Sequence, residues 1–489
     1  MTKDLHSQLS ELLKQNFEFS AFRGEQEAIL RKVWANEDLL ALMPTGMGKS
    51  LCFQFPAKIR DGLVIVISPL IALMQDQVLK ARDLNIPATC LNSTLTRDER
   101  EQRQERLAKG DYKLLYVTPE RFRKPEFLKA IEGRKIQLLA IDEAHCISQW
   151  GHDFRPDYSR VGEFRALLGN PPTLALTATA TPEVQKDILA KLNIPEAPTI
   201  SAGIERSNLA LRVHDVYGID EKIRAMVALR HQHDGTAIIY CSLIGTLKKI
   251  SSSLNRLGVP HLVYHGDLPP QDRKRNQKMF ISGENPLMLA TPAFGLGIDK
   301  NNVRLLIHSE IPSALESYFQ EVGRAGRDGK EASCHLLYDQ DDVSIQMEFL
   351  KWSHPEPEFI RKVYQLIEGN RLRVNQEKFD FLREQMNFKN RRDFRVEAAV
   401  SILERWGCLE KSDDPFPFQC VHEPTAEQFA AENGPQVLRA QNSKLLEMVR
   451  WATQDKECRM NYIYHYFGHK HETPCGKCDV CQGTAGKLE

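Results

Sequence analysis

Two series of short apolar segments constrain the fold of this chain more than any other feature. Stretches with helical character separate the segments, which lie at 38–43, 62–68, 113–118, 137–142 and 173–179 in the first series and at 236–241, 261–265, 286–291, 303–309 and 332–338 in the second. Strands that are apolar along their whole length are typical of parallel sheets covered by helices on both faces. The pattern therefore predicts an α/β protein with two parallel-sheet domains, at 1–205 and 206–345, joined by a hinge near residues 201–209.

The sequence changes in character after residue 345. "PEFIRKVYQLIE" and "VEAAVSILERWGCLEK" predict two helices, and "CLEKSDDPFPFQCVHE" predicts a short hairpin. Helix, helix and hairpin form the winged-helix order, and a plain helical bundle fits the same periodicity. We assign residues 346–435 to this third domain, 436–483 to a helical platform with a cysteine cluster, and 484–489 to a loose tail.

Composition limits the classes of function. The formal net charge is zero, so any site for a polyanion must be a local feature. The longest nearly apolar run, residues 63–73, is too short to span a bilayer, and the first 15 residues lack the apolar core of a signal peptide. Seven of the eleven cysteines are scattered without a pairing pattern. This predicts an intracellular, reducing location and no membrane partner.

The segment "MPTGMGKS" has the composition of a phosphate-binding loop. It follows an apolar strand and precedes a helix, which is the context that such a loop requires. Gly46 and Gly48 let backbone N–H groups face phosphate oxygens, Lys49 reaches the β- and γ-phosphates, and the Ser50 hydroxyl ligates Mg²⁺. We predict a nucleotide site formed by Thr45, Gly46, Met47, Gly48, Lys49 and Ser50.

Two carboxylates follow the apolar segment in "LLAIDEAH". The strand delivers Asp142 to its carboxyl end, which is the edge where ligands of α/β sheets bind. Asp142 is predicted to hold the Mg²⁺ together with Ser50, and Glu143 to orient or deprotonate the attacking water. A strand that merely ends in two solvated acids is the alternative, and the nearby phosphate loop weighs against it.

A pair of arginines lies in "SYFQEVGRAGRDG" of the second series. Arg324 and Arg327 are three residues apart and share a helical face. Such a pair can approach the γ-phosphate bound by the first domain, as an arginine finger supplied in cis. A solvated basic face is the alternative for an isolated pair, and Gln320 together with the glycines favours the catalytic interpretation.

These segments, with "LALTATAT" and "ATPAFGLGIDK", follow the order and spacing of a superfamily-two helicase core. "SPLIALMQDQV", "YVTPERF" and "CISQWGHDFRPDY" narrow the resemblance to the RecQ family of DNA helicases, over roughly residues 17–340. The resemblance implies two RecA-like domains that use ATP to translocate along single-stranded DNA with 3′-to-5′ polarity. It also implies that Gln26 contacts adenine with Arg23 beside it, and that Asp299 faces the nucleotide. This chain has Gly24–Glu25 where the family usually has Pro-Gly.

Several residues are candidates for DNA contacts. Ser68 and Arg121 follow strands and can offer polar groups to phosphates, and the resemblance adds Gln75. In the segment 146–158, rings on a charged loop can stack on bases for about 1–3 kcal/mol each, although a single ring is more often part of a core. The resemblance assigns this loop to DNA sensing, and we predict contacts from Gln149, Trp150, Phe154 and Arg155.

The C-terminal cysteines have the spacing of a metal site. Cys458, Cys475, Cys478 and Cys481 form a C-x₁₆-C-x₂-C-x₂-C pattern, and four thiolates fit tetrahedral Zn²⁺. An iron–sulfur cluster is the alternative, but the C-x₃-C-P continuation of that pattern is missing. The intervening histidines are more often surface residues than ligands; they are His465, His469 and His471. The string also resembles the RecQ zinc module, which favours zinc.

The order of the C-terminal segments departs from the usual family layout. A zinc module normally follows the helicase core directly, whereas about a hundred residues intervene here. Within them, the basic run 389–395 could contact DNA phosphates or form a solvated helix start.

The favoured prediction is an ATP-dependent 3′-to-5′ DNA helicase of repair and recombination. We expect a cytoplasmic, nucleoid-associated monomer that uses ATP, Mg²⁺ and Zn²⁺ and binds single-stranded and partially duplex DNA, with single-strand-binding protein as a candidate partner. One alternative is an ATPase or RNA remodeller that translocates without unwinding. Another is a zinc-stabilised nucleic-acid-binding scaffold with a vestigial ATPase, which the intact acids, lysine and arginines disfavour.

Overall fold

The chain forms two compact units. The computed structural model describes residues 2–44, 46–69, 71–92, 94–148, 150–151, 156–295, 300–377, 379–386, 393–411, 418–432 and 435–487. One unit contains residues 1–339 and 448–489, and the other contains residues 340–447.

The first domain of the larger unit is built on a seven-stranded sheet. Its strands are β1 (Leu39–Leu42), β2 (Leu63–Ile67), β3 (Ala88–Leu91), β4 (Leu114–Val117), β5 (Ile136–Ile141), β6 (Thr173–Thr177) and β7 (Thr199–Ser201). They pair in parallel in the order β3-β4-β2-β5-β6-β1-β7. The loops that follow β1, β5 and β6 therefore meet at one edge of the sheet.

Two helices precede the first strand of this domain, and the others lie between its strands. The helices are α1 (Thr2–Phe17), α2 (Gln26–Trp34), α3 (Leu51–Ile59), α4 (Ile71–Asp83), α5 (Arg97–Lys109), α6 (Pro125–Ile131), α7 (Pro156–Ser159), α8 (Val161–Leu167) and α9 (Pro182–Lys191), with short 3-10 helices at Pro119–Arg123 and Ala144–Ile147. Alternate residues of β2 enter two separate cores: Ile65 lies in one, and Val64 and Val66 lie in the other. Both faces of the sheet are thus buried, which explains why its central strands are mostly apolar.

The second domain contains a six-stranded parallel sheet. Its strands are β8 (Leu209–Asp215), β9 (Thr236–Tyr240), β10 (Leu262–Tyr264), β11 (Leu287–Ala290), β12 (Val303–His308) and β13 (Ala332–Tyr338), and its helices are α10 (Gly218–Gln232), α11 (Ile244–Arg256), α12 (Pro270–Ser282) and α13 (Leu315–Val322). The strand order is β10-β11-β9-β12-β13-β8. The predicted fold class, two RecA-like parallel-sheet domains, is confirmed.

The smaller unit is mainly helical and contains one hairpin. A 3-10 turn at Gln340–Asp342 leads into α14 (Val343–Ser353), α15 (Pro357–Gly369), α16 (Arg371–Glu377), α17 (Phe379–Met386), α18 (Arg395–Arg405), β14 (Leu409–Lys411), β15 (Phe418–Cys420) and α19 (Ala426–Glu432). β14 and β15 pair antiparallel. Its apolar core joins α15, α17 and α18 to the hairpin through residues such as Val363, Leu382, Leu403 and Phe418.

The chain returns to the larger unit through α20 (Pro435–Thr453), α21 (Arg459–Tyr466) and α22 (Asp479–Gln482). The expectation of a loose tail is wrong for residues 484–487. Gly486 forms a parallel bridge with His214 of β8, and the Lys487 carbonyl accepts a hydrogen bond from His214 Nδ1 at 2.7 Å. Polar, glycine-rich composition suggested a free end, but the backbone of this segment pairs with the outer strand of the second sheet.

Among the described residues, no helix is long and apolar enough to cross a membrane.

Candidate functional site

The phosphate loop lies at the carboxyl edge of the first sheet, between β1 and α3. Gly48 has φ +75°, and a Cβ there would lie 2.7 Å from Gln26 Nε2. That same Nε2 donates to the carbonyls of Met47 (3.0 Å) and Gly48 (3.1 Å), while Gln26 Oε1 accepts from the backbone N–H of Arg23 (2.8 Å). Gln26 is therefore fixed against the loop by both polar atoms of its amide, and its contact with the base of a nucleotide stays a prediction. Thr45 lies outside the described residues.

Lys49 and Ser50 project from the end of this loop. Lys49 Nζ lies 3.9 Å from Glu143 Oε1, and both side chains are largely buried. The Ser50 hydroxyl donates to Gln77 Oε1 at 3.1 Å. The sequence analysis did not single out Gln77, although it lies in the segment "SPLIALMQDQV".

Asp142 and Glu143 follow β5 at the same edge. Burial, and next the charge of Glu143, raise the pKa of Asp142 to about 7, and Lys49 opposes this shift. Glu143 has a left-handed backbone (φ 50°) and its N–H donates to Asp142 Oδ1 at 3.1 Å. Left-handed backbone is uncommon for a residue with a side chain and is concentrated at functional sites. A neighbouring cation would stabilise the ionised form of these two adjacent, buried acids.

His145 links the acids to the next strand. Its Nδ1 lies 2.9 Å from the Thr177 hydroxyl, which itself donates to the Thr179 carbonyl at 3.2 Å. Because that hydroxyl proton is already used, His145 Nδ1 is the donor to Thr177. The same Nδ1 is 3.4 Å from Glu143 Oε2. The end of β6 is therefore joined to the acidic residues through a buried histidine.

The two arginines of the second domain have different contacts. Arg324 is buried and donates to the Gly295 carbonyl of its own domain. Arg327 approaches the first domain instead: its Cδ lies 3.5 Å from the position of a Cβ on Gly46. Gln320 lines a small cavity with Pro44 and Thr179 of the first domain. Asp299 lies outside the described residues.

The candidate DNA-binding residues are spread over several loops. Gln75 is exposed on α4, whereas Ser68 is 3% exposed and Arg121 is 9% exposed, with Arg121 Nη2 donating to the Asn92 carbonyl at 3.0 Å. Contacts of Ser68 and Arg121 with phosphate stay predictions. Tyr158, the ring at the end of the segment 146–158, is 1% exposed and belongs to the core of the first domain.

Trp150 is 39% exposed. The neighbouring Gly151 packs on the backbone of His145, because a Cβ at Gly151 would lie 2.2 Å from the His145 carbonyl oxygen. The loop that carries Trp150 is thus in direct contact with His145, whose Nδ1 lies 3.4 Å from the Glu143 carboxylate. Gln149, Phe154 and Arg155 lie outside the described residues.

The four C-terminal cysteines converge on one point. Their sulfur atoms all lie within 4.8 Å of one another, and among the described residues they form the one group of this kind that could hold a metal ion. Zn²⁺ at about 2.3 Å from each sulfur requires sulfurs about 3.8 Å apart, and Cys475 Sγ and Cys481 Sγ are 4.0 Å apart. Burial, and next the neighbouring Cys478, raise the pKa of Cys481 to about 11, so zinc uptake must displace protons.

The histidines near this cluster have other partners. His465 contacts Glu457 through Nδ1 (2.7 Å) and the His471 carbonyl through Nε2 (3.1 Å). His471 Nδ1 lies 3.2 Å from Asn461 Oδ1. His465 and His471 thus have partners other than the cysteine sulfurs, and the exclusion of the loop histidines as ligands stays a prediction.

A buried ion pair anchors the cysteine cluster to the second domain. Arg459 forms two hydrogen bonds of 3.0 Å with Asp479, and both side chains are 2% exposed. Asp479 also accepts from the backbone N–H of Val213 in β8 at 3.1 Å. The sequence analysis missed this pair. Arg459 directly follows Cys458, and Asp479 lies between Cys478 and Cys481. Charged residues next to predicted metal ligands could have indicated a buried ion pair.

Two RecA-like domains, one with the phosphate loop and the other with the arginine pair, define a helicase core. Residues 23–188 match the DEAD/DEAH box helicase family and residues 221–329 match the helicase conserved C-terminal domain. Residues 423–482 match the RecQ zinc-binding family. Among solved structures, Saccharomyces cerevisiae Dbp5 bound to RNA and ADP BeF3 has a TM-score of 0.56 at 19% identity, covering 71% of this chain and 92% of that one. The DUF1998 helicase MrfA bound to DNA has a TM-score of 0.57 at 14% identity, covering 86% of this chain and 63% of that one.

The chain belongs to the RecQ family. It is 42% identical over 362 residues to the ATP-dependent DNA helicase RecQ of Bacillus subtilis, covering 73% of this chain and 61% of that protein. It is 40% identical over 371 residues to the probable ATP-dependent DNA helicase RecS of the same organism, covering 74% and 73%. RecQ of Haemophilus influenzae is 41% identical over 470 residues, covering 96% of this chain and 63% of that protein. The chain thus spans about three fifths of the length of these two RecQ relatives.

Proposed function

We propose that the protein is an ATP-dependent DNA helicase that translocates 3′-to-5′ on single-stranded DNA and unwinds duplexes in repair and recombination. The observation that supports this most is the approach of Arg327 to Gly46, because it brings an arginine of the second domain to the phosphate loop of the first. Family membership supports DNA as the substrate. We further propose a cytoplasmic, nucleoid-associated monomer, with single-strand-binding protein as a partner.

In the proposed reaction, the first domain binds ATP and the second domain completes the site. Lys49 holds the β- and γ-phosphates, and Ser50 and Asp142 would hold Mg²⁺, which offsets the charge of the phosphates. The raised pKa of Asp142 reflects a buried acid that a cation would stabilise in its ionised form. Glu143 orients the attacking water, while Arg324 and Arg327 stabilise the charge of the transferred group. Gln26 and Arg23 contact the base, and Asp299 faces the nucleotide.

Hydrolysis removes the phosphate that joins the two domains, so each cycle opens and closes them by a hinge motion. DNA bound across both domains would then advance one step per cycle. We assign DNA contacts to Ser68, Gln75, Arg121, Gln149, Trp150, Phe154 and Arg155. The smaller unit is proposed to be a winged-helix domain placed ahead of the zinc module, since its helices lead into an antiparallel hairpin.

Unwinding of a tailed DNA duplex tests this function. With ATP, the protein should separate a duplex that carries a 3′ single-stranded tail and leave a matched duplex with a 5′ tail intact. Strand separation is measured with a fluorophore and a quencher on opposite strands. Hydrolysis that single-stranded DNA stimulates, without unwinding of either duplex, would support a translocase instead. Binding of DNA with no hydrolysis would support the scaffold interpretation.

Trp150→Ala should uncouple ATP hydrolysis from DNA. Removal of one stacked base contact costs about 1–3 kcal/mol, so stimulation by single-stranded DNA should fall roughly 10- to 100-fold at subsaturating DNA. Hydrolysis without DNA should stay within about twofold, because Trp150 does not line the nucleotide site. The measurement is phosphate release against oligonucleotide concentration.

Tyr217→Ala provides the matched control, because it removes another exposed ring, 81% exposed, at the start of α10 in the second domain. Its stimulation by DNA should equal that of the wild-type protein. Full stimulation of Trp150→Ala would contradict the proposed role of the loop.

A further inference from the structure

The turn at residues 323–327, here named the arginine turn, carries Arg324 and Arg327 and is held in place by a third arginine. Arg206 lies between β7 and β8, and its guanidinium donates to the carbonyl oxygens of Gly323 (2.9 Å), Ala325 and Gly326 (3.4 Å). Arg324 lies inside this run and Arg327 directly follows it. The planar Arg206 guanidinium, with its fixed N–H donors, therefore holds the backbone from which the Arg324 and Arg327 side chains project.

Asn208 supports the same turn from the adjacent position. Its Nδ2 donates to the carbonyls of Gly326 and Lys330, both at 2.8 Å. Gly326 has φ +56°, and a Cβ there would lie 2.4 Å from this Nδ2. The turn therefore depends on a glycine and on the segment that joins the two domains.

The zinc module contacts Arg206 in turn. The backbone N–H of Arg206 donates to the Tyr464 hydroxyl at 3.1 Å, and Tyr464 is 4% exposed on α21, between the cysteines 458 and 475. The module also packs on α13, the helix that leads into the arginine turn. Trp451 lies 4.5 Å from Tyr318 and Phe467 lies 5.6 Å from Phe319, measured between ring centroids.

Arg206 also faces the first domain. With Phe319 and Gly323 it lines the small cavity that Pro44, Ala178 and Thr179 close from the other side. Pro44 begins the phosphate loop, and Ala178–Thr179 follow Thr177, the hydrogen-bond partner of His145. A shift of Arg206 would therefore change the contact between the arginine turn and the nucleotide cleft.

We propose that Arg206 is a positioning residue for the arginine pair in ATP hydrolysis, and that Tyr464 of the zinc module fixes its position. The inference rests on the proposed ATP hydrolysis and deepens it. It gives the zinc module a part in hydrolysis that does not require the module to touch nucleotide or DNA.

Two conservative variants test the proposal in the full chain. Arg206→Lys keeps the charge but loses the planar set of donors, and Tyr464→Phe removes one hydroxyl. Tyr466→Phe makes the same change two residues along α21, on another face of the helix. For each we would measure bound zinc, kcat and KM for ATP with saturating single-stranded DNA, and the affinities for ADP and for ADP–aluminium fluoride, a mimic of the transferred phosphoryl group.

Arg206→Lys should lower kcat by about 10- to 100-fold, the scale of a misplaced catalytic group. Its affinity for ADP–aluminium fluoride should fall by a similar factor while its affinity for ADP is unchanged. Tyr464→Phe should lower kcat by about fivefold, as expected for one lost hydrogen bond, with zinc content unchanged and Tyr466→Phe equal to wild type. In an Arg206→Ala background, Tyr464→Phe should cause no further loss, because it acts through Arg206.

An active wild-type protein whose Arg206→Lys variant keeps kcat and ADP–aluminium fluoride affinity within twofold would overturn this inference alone. So would independent, multiplicative effects of the Arg206 and Tyr464 variants. A wild-type protein that hydrolyses no ATP would overturn the proposed function, and the inference with it.

Discussion

Lys49→Ala should lower ATP hydrolysis by at least about 100-fold, the scale of losing a group that stabilises developing charge, and should abolish unwinding. Lys49 lies 3.9 Å from Glu143 and is 13% exposed, so its charge acts in a place with little solvent screening. Its removal also takes away the cation that opposes the raised pKa of Asp142. The measurement is phosphate release at saturating single-stranded DNA, with DNA affinity followed by fluorescence anisotropy.

Lys32→Ala is the matched control for this change. Lys32 belongs to the same domain and forms an ion pair with Glu37 (2.7 Å), in which the two side chains are 41% and 46% exposed. Exposed pairs of this kind contribute about 0–1 kcal/mol, so hydrolysis should be unchanged. DNA affinity should be similar in both variants and the wild type. Substantial hydrolysis by Lys49→Ala would show that the phosphate loop is not the catalytic nucleotide site.

Cys478→Ser should remove the zinc ion and unfold the module around it. Structural zinc sites contribute on the order of 10 kcal/mol of apparent binding free energy at pH 7, and the Cys478 side chain is fully buried. Loss of the module would also free Asp479 from Val213 and Tyr464 from Arg206. Metal analysis should find about one zinc per wild-type chain and almost none in the variant, and the first thermal transition should fall by more than 10 °C.

Cys420→Ser makes the same chemical change outside the cluster, in β15 of the smaller unit. It should keep its zinc. Iron in place of zinc in the wild-type protein would support the iron–sulfur alternative, and a Cys478→Ser variant with full zinc content would contradict the four-cysteine site. Zinc affinity should fall as the pH falls, because the raised pKa of Cys481 means that its thiol must release a proton before it can bind metal.

The parallel strands could be predicted from the sequence because burial on both faces makes them mostly apolar. The predicted segments 236–241 and 332–338 correspond to β9 (Thr236–Tyr240) and β13 (Ala332–Tyr338). β8 was missed because Arg212 and His214 interrupt its apolar pattern. It is the outer strand of the sheet, and polar residues are compatible with that position.

The local parts of the candidate site were also predictable, since each forms within a few residues. The loop before α3, the acids after β5 and the cysteine spacing are of this kind. Contacts between distant segments were not predictable. Arg206 and the arginine turn are 117 or more positions apart, and Tyr464 is 258 positions from Arg206. Such contacts depend on how the zinc module packs against the second sheet. The spacing of motifs along the sequence does not predict this packing.

The segment after the zinc site has a consequence for the protein in solution. An uncovered outer strand presents free N–H and C=O groups that promote aggregation and strand exchange. Here Gly486 pairs with His214, and the Gly486 carbonyl accepts from the N–H of Asp215 at 3.3 Å. Because α22 and its cysteine lead directly into this segment, the metal that folds the module also keeps a backbone partner at the carboxyl end of β8. Resistance to aggregation should therefore follow zinc occupancy.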